Sequence, residues 1–374
     1  MKLILKEVLT KRDLKRFIKF PFELYKNNKC WIPPLISDEI KTLDKEKNPA
    51  FEHCDARFWI VESENKIVGR IAGIINHKYN EKFNTRHLRF AWLDFIDDEQ
   101  VVDMLFNAVE SWAKEKGLNT IHGPLGFTDM DGEGLLIEGF DEVSTFGSIY
   151  NYDYYPKHLS RLNYEKDADW VEYLITLDKE IPEKISRIAD IVMRREKLSL
   201  LEVKKSKDLL PYAYKIFYLI NETYKNLYGF VELTDKQIDM YVKSYFSFIK
   251  PGFVPIVIDQ NKELVAFGIS MPSLSNAMKK AKGKLFPFGF LHVLKAIKTN
   301  DTVDLYLTAV KSEYQNKGVN SIIIHEINKT LLKNKIYRVE TNRELEMNEK
   351  IQNQWRYYQN RQHKRRRCYI KKLI

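Results

Sequence analysis

The sequence predicts a mixed α/β fold of the α+β kind, in two similar halves that each hold a mostly antiparallel sheet flanked by helices. Three observations lead to this prediction. The chain has 374 residues, 44% of them hydrophobic, which is long for a single core and suits two domains. Short apolar and aromatic runs alternate with stretches of helical spacing. The order of these elements in the first half recurs in the second, which indicates a tandem duplication.

The first half is predicted to hold, in order, a strand at 2–9, a helix from Arg12 that breaks near Pro21, a β-hairpin of 57–62 with 67–75, a strand at 88–95, a helix at 100–116 and a strand at 119–123. The turn-rich segment 63–66 between two apolar runs is the hairpin signal. Gly117 is placed to end the preceding helix, since glycine tolerates the positive φ that this position requires.

The second half is predicted to hold strands at 199–203, 253–259, 264–271, 303–310, 336–341 and 366–373, and helices at 207–226, 235–248, 320–333 and 348–360. We divide the chain into an N-terminal lobe, 1–177, a linker with a helix, 178–197, and a C-terminal lobe, 198–374. The linker prediction depends on the charges and the proline within 178–183.

Composition excludes several classes of protein. The three cysteines lie far apart, which argues against a disulfide framework and for a reducing compartment. The charged start, Met1–Glu7, predicts no signal peptide, and no uncharged apolar run approaches the length of a membrane span. Secreted disulfide scaffolds, integral membrane proteins and fibrous proteins are therefore excluded. We expect a cytoplasmic protein, with peripheral contact at the inner membrane face as a further expectation.

Positive charge is concentrated in two places. The net charge is +10, and the segment 350–374 alone holds nine Lys and Arg with no acid. A second acid-free segment, 279–298, holds six lysines around an apolar centre that includes Phe286, Phe288 and Phe290. This composition predicts contact with anionic lipid or a lid over an acyl chain; the alternative is an excursion whose aromatics fill the core. Within the tail, strand alternation sends Arg365 and Arg367 to one face and Arg366 to the other, toward phosphates, RNA or solvent.

The strongest local signal is a strand, 304–310, followed by a turn at 315–320 and a helix. A glycine just before a helix presents backbone N–H groups, and the helix dipole adds positive potential. Together they predict a cradle for a pyrophosphate. The alternative is an ordinary turn in which Gly318 supplies a positive φ.

Gln315-x-x-Gly318-x-Asn320 resembles the acyl-CoA signature of the GNAT acetyltransferase superfamily, with Asn320 in place of the last small residue. Further segments resemble a bacterial group of two-lobed GNAT-like proteins, which is similar to bacterial ceramide synthases: 123–128, 131–140, 150–156, Glu340 with 346–348, and 364–369. Those synthases acylate a sphingoid amine from an acyl thioester. The resemblance implies a tandem GNAT fold, with acetyl-CoA or a longer acyl-CoA as co-substrate and no metal.

The resemblance also implies a mechanism and its residues. An amine attacks the acyl thioester directly, without a covalent enzyme intermediate. The implied cofactor-binding residues are Leu307, Ala309, Val310, Gln315, Asn316, Lys317, Gly318, Val319, Asn320, Ser321 and Asn348. Glu340 is the candidate base for the amine, with a loop-capping carboxylate as the alternative. Trp355 stands where the family has a tyrosine that protonates the thiolate, so Tyr357 and Tyr358 are the substitute candidates.

For the acceptor, the candidate residues are Asp129, Asp131, Glu133, Tyr150, Tyr155, Phe286, Phe288 and Phe290. The three carboxylates could bind an ammonium group or be solvated turn residues, and a calcium loop is rejected because no terminal bidentate Glu follows. The start of the N-terminal lobe's helix, 97–99, is acidic and would repel a pyrophosphate, so that lobe is predicted to be degenerate.

We therefore expect an acyl-CoA-dependent N-acyltransferase acting on an amine, with a long-chain or lipid amine as the finer expectation. Two alternatives remain from other classes: a non-catalytic binding module of the same fold, and an RNA-associated protein that uses the basic tail. Nucleic acid is the weaker partner prediction, and the sequence predicts no oligomeric state.

Overall fold

The computed structural model describes residues 2–245 and 249–373, and it divides into two compact units. Unit 1 comprises Met1–Val171, Ser275–Val293 and His363–Ile374; unit 2 comprises Glu172–Leu274 and Leu294–Gln362. The predicted lobes, 1–177 and 198–374, differ from these units in three stretches, because 275–293 and 363–374 lie in unit 1 and 172–197 lies in unit 2.

The elements of the first part of the chain are β1 (Leu3–Glu7), α1 (Lys11–Leu24), α2 (Ile36–Leu43), β2 (Cys54–Ser63), β3 (Lys66–Asn76), α3 (His77–Phe83), β4 (His87–Phe95), α4 (Glu99–Glu115), β5 (Thr120–Gly123), β6 (Leu135–Glu138), α5 (Tyr155–Arg161) and β7 (Glu165–Thr176). The remainder holds α6 (Glu183–Arg195), β8 (Ser199–Leu200), α7 (Leu210–Tyr224), α8 (Asp235–Tyr245), β9 (Ile256–Ile258), β10 (Leu264–Pro272), α9 (Ser275–Ala281), α10 (Gly289–Lys298), β11 (Thr302–Val310), α11 (Asn320–Lys333), β12 (Arg338–Glu340), β13 (Glu344–Leu345), α12 (Glu349–Gln352) and β14 (Gln359–Lys372).

In unit 1 the strands run in the order β1-β2-β3-β4-β5-β14, and β6 also pairs with β14. The pairing is antiparallel except between β4 and β5, which α4 connects as a parallel crossover. One face of the sheet packs on α4 through Val101, Leu105 and Trp112. The other packs on α1 through Phe17 and Ile18.

Unit 2 repeats this plan. Its strands run in the order β7-β12-β11-β10-β9-β8, again antiparallel except for one parallel pair, β11 with β12, which α11 connects. One face packs on α11 and α6 through Ile323, Leu331 and Val192, and the other packs on α7 through Ile220. The same crossover in the same place in both units matches the predicted duplication.

Proline does not break the first helix. The prediction of a break near Pro21 is wrong, because α1 continues through it to Leu24. A proline inside a helix has no N–H to give to the carbonyl four residues earlier, here that of Phe17. The Arg70 guanidinium donates to that carbonyl at 2.9 Å instead. A side chain from β3 thus replaces the missing backbone donor.

The predicted helix at 348–360 is also wrong. Only α12 and a single 3₁₀ turn at Trp355–Tyr357 are helical, and β14 begins at Gln359. The strands predicted at 199–203 and 253–259 are shorter than expected. Residues 246–248 of the helix predicted at 235–248 lie outside the described residues. Gly117 has a φ of +68° directly after α4, as its position predicted.

Candidate active site of unit 2

The central strand of unit 2 loses one neighbour halfway along its length. The pairing of β11 with β12 covers only Thr302–Asp304, whereas its pairing with β10 reaches Val310. The register of β10 against β11 shifts between Ile269, which lies opposite Leu307, and Ser270, which lies opposite Leu305. The second half of β11 therefore has one open edge, along which an extended ligand could pair with the backbone.

Side chains cover alternate carbonyls of this strand. Asn342 Nδ2 donates to the Tyr306 carbonyl at 3.0 Å, and the Tyr224 hydroxyl donates to the Thr308 carbonyl at 2.9 Å. Gln315 Nε2 donates to the Val310 carbonyl at 3.0 Å. These bonds hold the splayed strand in place where no neighbouring strand does.

A cavity of about 130 Å³ opens beside this edge. Its lining residues include Leu305 to Thr308 of β11, Asn320, Ile323, Ile324 and Ile327 of α11, Thr341 to Glu344, and Trp355. The walls are mostly apolar. This volume is below the roughly 300–1,000 Å³ of sites that enclose drug-sized ligands, so the cavity suits the reacting end of a larger molecule.

Glu344 is the buried carboxyl group of this cavity. Its side chain is 9% exposed, and Trp355 Nε1 donates to Oε1 at 2.9 Å. Among the described residues no group hydrogen-bonds to its Oε2. Burial raises the pKa of Glu344 to about 8, against the opposing effect of the Trp355 hydrogen bond. The carboxyl group is therefore mostly protonated at neutral pH.

The glycine turn lies between β11 and α11 in the same unit. Gly318 has a φ of +84°, and Gln315 to Gly318 are exposed. The first N–H groups of a helix have no preceding carbonyl to bind, and the 14 residues of α11 add their dipole at this end. This is the backbone geometry that the sequence predicted.

Basic side chains flank the turn. Lys317 Nζ lies 3.2 Å from Glu196, and Lys350 Nζ donates to Asn316 Oδ1 at 3.2 Å. Arg195 donates to the Lys317 carbonyl at 2.8 Å, which ties the turn to the end of α6. Two lysines and the helix N-terminus therefore give this exposed turn a positive potential suited to phosphate.

The predicted catalytic residues do not meet at the cavity. Glu340 ends β12 as predicted and is half-buried, but the cavity lining starts at the next residue, Thr341. Tyr358 is buried, its hydroxyl accepts from Asn328 Nδ2 at 2.5 Å, and burial raises its pKa to about 12. Tyr357 lies at the surface, where a hydrogen bond from Arg356 lowers its pKa. Asn348 precedes α12 and does not line the cavity.

The acidic loop of unit 1 folds onto itself. Asp131 Oδ2 accepts from the Thr128 N–H at 3.1 Å, and the Asp131 N–H donates to the Thr128 carbonyl. Glu133 is 6% exposed, whereas Asp129 is half-buried. Two of the three predicted acceptor-binding carboxylates thus take part in the loop's own structure or are buried, so their role toward a substrate stays a prediction.

Two tyrosines predicted to touch substrate lie inside unit 1. The Tyr155 hydroxyl accepts from the Phe95 N–H at 2.9 Å and lies 3.0 Å from the Tyr25 hydroxyl, and its ring stacks on Phe95. The Tyr150 hydroxyl donates to the Phe140 carbonyl at 2.9 Å. Both rings are buried. Their hydroxyls are already bonded within the core, and a role of either tyrosine toward a substrate stays a prediction.

The basic C-terminal strand is internal. Arg365 and Arg367 both bind Asp169, with Nε to carboxylate distances of 2.8 Å, while Arg366 is fully buried and donates to the Ile149 carbonyl. The predicted alternation of the three arginines is confirmed. These guanidinium groups are held by the protein's own acceptors, and a role toward phosphate or RNA stays a prediction.

The acid-free segment 279–298, which we call the insertion, divides into an anchored part and an exposed part. The Ile36 N–H donates to the Gly283 carbonyl at 3.0 Å, which fixes the insertion within unit 1. Phe286 and Phe288 are 77% and 70% exposed, and Phe290 is half-buried with its ring 5.7 Å from that of Phe286. The expectation that aromatics of this segment fill a core is therefore wrong for Phe286 and Phe288.

Unit 1 has no equivalent of the glycine turn within its described residues. The counterpart helix, α4, is capped by Asp98, whose side chain accepts from the Val101 N–H at 3.1 Å. The Asp98 carboxylate at the start of α4 disfavours phosphate binding at this end of the helix.

A shallow depression of about 430 Å³ lies against the same helix. It is lined by Trp59, Trp112 and an Arg57–Glu115 ion pair.

One side-chain group in unit 1 has the composition of a metal site. The potential ligand atoms of His122, Asp167 and Cys368 lie within 4.8 Å of one another. Imidazole, carboxylate and thiolate suit Zn²⁺. Burial lowers the pKa of His122 to about 4, although its hydrogen bond to the Asp167 carboxylate opposes this, and the nearby Arg89 charge lowers it further. Since that guanidinium would also repel a divalent cation, we assign no metal to this group.

Sequence reasoning missed Glu344, Asn342 and Tyr224. The first two lie between Glu340 and the segment 346–348, both of which carry the family resemblance, so position relative to β12 was an available signal. Tyr224 ends α7, far from the motif in sequence, and only the fold brings it to β11.

Each unit holds a mostly antiparallel sheet with one parallel pair, and unit 2 adds an open strand edge and a glycine turn; this is a tandem GNAT-like fold. Protein YghO of Escherichia coli (strain K12) is 27% identical over 377 residues, covering 99% of this chain and 95% of that protein. The bacterial ceramide synthase of Caulobacter vibrioides (strain NA1000 / CB15N) is 26% identical over 316 residues, covering 82% and 80%. No protein-family model matches the sequence.

Solved structures share the fold over nearly the whole chain. A tandem GNAT protein from the clavulanic acid biosynthesis pathway has a TM-score of 0.57 at 11% identity, covering 99% of this chain and 98% of its own. A GCN5-related N-acetyltransferase from Sphaerobacter thermophilus has a TM-score of 0.52 at 10% identity, covering 99% and 95%. The predicted tandem GNAT fold and the resemblance to ceramide synthases are confirmed.

Proposed function

We propose that this protein is an acyl-CoA-dependent N-acyltransferase whose reaction takes place in unit 2. The observation that carries the proposal is the coincidence, within one unit, of an exposed glycine turn at a helix N-terminus, an open strand edge and a mostly apolar cavity beside that edge. These features suit, in turn, the pyrophosphate, the pantetheine and the thioester of acyl-CoA. The similarity to a ceramide synthase supports the acyltransferase class.

The chain's own groups would act on the co-substrate in two ways. Exposed N–H groups around Gly318, with Lys317 and Lys350 beside them, would bind the phosphates. Since the Tyr306 and Thr308 carbonyls already accept side-chain hydrogen bonds, the backbone N–H groups of this edge of β11 would donate to the pantetheine. The thioester would then lie toward Glu344. The apolar walls would exclude water, which favours attack by an amine over hydrolysis.

A long-chain amine or acyl donor is the substrate class that we propose. The Caulobacter relative is named a ceramide synthase, a name that implies lipid chemistry for that protein. In this chain, Phe286, Phe288 and Leu291 form an exposed apolar patch directly after Lys279, Lys282 and Lys284. Such a patch suits insertion between anionic head groups. None of the described helices is long and apolar enough to span a membrane, so contact would be peripheral.

The test measures binding and transfer with the full chain. Titration calorimetry with acetyl-CoA and palmitoyl-CoA should give saturable binding, and release of free thiol should depend on an added amine. A sphingoid base and a small polar amine serve as the two acceptors. We expect transfer to the sphingoid base and preference for the longer acyl donor, since each buried methylene contributes about 0.8 kcal/mol. No binding of either thioester would refute the proposed function; equal use of both donors would refute only the lipid preference.

A further inference from the structure

We propose that Glu344 is the proton carrier of the acyl transfer, giving its proton to the departing sulfur and taking one from the attacking nitrogen. This inference rests on the proposed function. It gives Glu344 two roles. The sequence had suggested Glu340 as the base that takes the amine proton, and Tyr357 or Tyr358 as the acid that protonates the sulfur.

Position is the first argument. Glu344 lines the cavity together with Leu305 to Thr308 of β11, the strand edge beside which a thioester would lie. Glu340, Tyr357 and Tyr358 do not line it. A proton carrier must come within hydrogen-bonding distance of the atoms that it serves, directly or through one water, so the cavity wall is where it has to be.

The hydrogen bonding of Glu344 is the second argument. Oε1 is held by the Trp355 indole at 2.9 Å, whereas Oε2 is buried and no described group bonds to it. Buried polar atoms are normally satisfied, so one that is not calls for an explanation. A substrate amine or thiolate in the cavity would supply the missing partner.

The protonation state of Glu344 agrees with this role. An ordinary glutamic acid has a pKa near 4.3 and would hold almost no proton at pH 7. Burial raises the pKa of Glu344 to about 8, which lies near that of a free thiol at about 8.5. Proton transfer between groups of matched pKa is efficient. The other titratable side chains lining the cavity are Tyr224, Tyr306 and Arg343.

The proton balance closes without any further reactant. The nitrogen of a neutral amine forms a bond to the thioester carbonyl carbon, and the carbon–sulfur bond breaks. Glu344 gives its proton to the leaving sulfur, which becomes a thiol. The carboxylate that results takes the proton that nitrogen must lose to become an amide. Glu344 ends the cycle protonated, as it began.

Trp355 is a positioning residue in this scheme. Its indole cannot supply a proton at physiological pH, but its N–H fixes one carboxyl oxygen and leaves the other toward the substrates. This gives a reason for a tryptophan at the position where the family resemblance led us to expect a tyrosine. Because the hydrogen bond from Trp355 lowers the pKa of Glu344, its removal should raise that pKa further.

The experiment compares Glu344→Gln, Trp355→Phe and the exposed control Glu349→Gln with wild type. Glutamine keeps the shape and the acceptor for the indole, so the fold should survive. We expect Glu344→Gln to lower kcat by at least roughly 10²-fold, with palmitoyl-CoA affinity within twofold of wild type and no change in the control. The wild-type kcat should fall above about pH 8, and Trp355→Phe should move this break upward.

A second measurement does not depend on turnover. The infrared difference between wild type and Glu344→Gln at pH 7 should contain the carbonyl band of a protonated carboxyl group. If wild type transfers acyl groups and Glu344→Gln does so equally fast, or if the carboxyl band is absent, the role of Glu344 is refuted and the proposed function stands. If wild type neither binds acyl-CoA nor transfers an acyl group, the role of Glu344 and the proposed function are both refuted.

Discussion

Trp355 holds Glu344 by a single hydrogen bond of 2.9 Å between its indole N–H and Oε1, and both side chains are buried in unit 2. The pair joins β13, which precedes α12, to the 3₁₀ turn that follows α12. It therefore fixes the part of the chain that replaces the longer helix predicted at 348–360.

Stability should depend on pH through Glu344. Its folded pKa of about 8 lies above the unfolded value near 4.3, so the folded state binds more protons between these limits. Stability consequently falls as pH rises through this window. We expect Glu344→Gln to be more stable than wild type, with a Tm difference larger at pH 8 than at pH 5, measured by calorimetry. A difference that is constant with pH would contradict the raised pKa.

Gly318 should be essential for binding acyl-CoA. At its φ of +84° any side chain is strained, and a Cβ would lie 3.1 Å from Val192. Gly318→Ala is therefore the control for strain, and Gly318→Glu adds a carboxylate to it. We expect the Glu variant to lose affinity by at least roughly tenfold beyond the Ala variant, from like-charge repulsion worth more than about 1.4 kcal/mol. Equal affinity in calorimetry would place the phosphates elsewhere.

The two candidate carboxylates can be separated by rate. Because Glu344 lines the cavity and Glu340 does not, Glu344→Gln should reduce kcat more than Glu340→Gln does. The expected loss is roughly 10²–10⁴-fold for the residue that carries the proton. If Glu340→Gln lost more kcat than Glu344→Gln in the same thiol-release assay, Glu340 would be the residue that carries the proton, as the sequence suggested.

Vesicle binding should depend on the basic end of the insertion. Changing Lys279, Lys280, Lys282 and Lys284 to glutamine removes about 1 kcal/mol each, so partitioning onto anionic vesicles should fall by up to roughly 10³-fold. The matched control changes four exposed lysines of unit 2, namely Lys204, Lys205, Lys207 and Lys333. Co-sedimentation should also weaken with salt and with Phe286→Ser. Equal loss in the control would indicate general charge attraction rather than a defined surface.

Asp169 should be important for the stability of unit 1. Burial would raise its pKa, but hydrogen bonds from Arg367 and Arg365 outweigh burial and lower it. Asp169→Asn leaves both guanidinium groups without their carboxylate and should cost about 3–5 kcal/mol at pH 7. The exposed Asp153→Asn, which breaks a surface pair with Lys157, should cost under about 1 kcal/mol.

The loss of unfolding free energy caused by Asp169→Asn should be smaller at acid pH. A carboxyl group with a lowered folded pKa contributes its stability above the unfolded pKa of about 3.9 and loses it as pH falls through the folded value. Urea unfolding of both variants at pH 7 and pH 3 checks the sign. A cost for Asp169→Asn that is the same at both values would show that its hydrogen bonds, and not its charge, matter.

The sequence by itself determined the two hairpins, the crossover helices α4 and α11, the duplication and the glycine turn. Local periodicity and turn residues were sufficient for this: α11 occupies the predicted residues, 320–333, and Gly318 has the positive φ that its place in the motif required. Alternation along β14 likewise determined which of its arginines share a face. These features depend on the backbone geometry of a few consecutive residues, which the residues themselves encode.

Only the tertiary structure decided which side chains surround the cavity and which arginines are internal. Tyr224 reaches β11 across more than eighty residues, and Asp169 meets Arg365 and Arg367 across nearly two hundred. The raised pKa of Glu344 has the same origin, since burial is a property of everything packed around a group. The many basic residues of 350–374 suggested a tail that binds phosphates. In the structure, strand pairing and the ion pairs with Asp169 make most of this tail an internal strand.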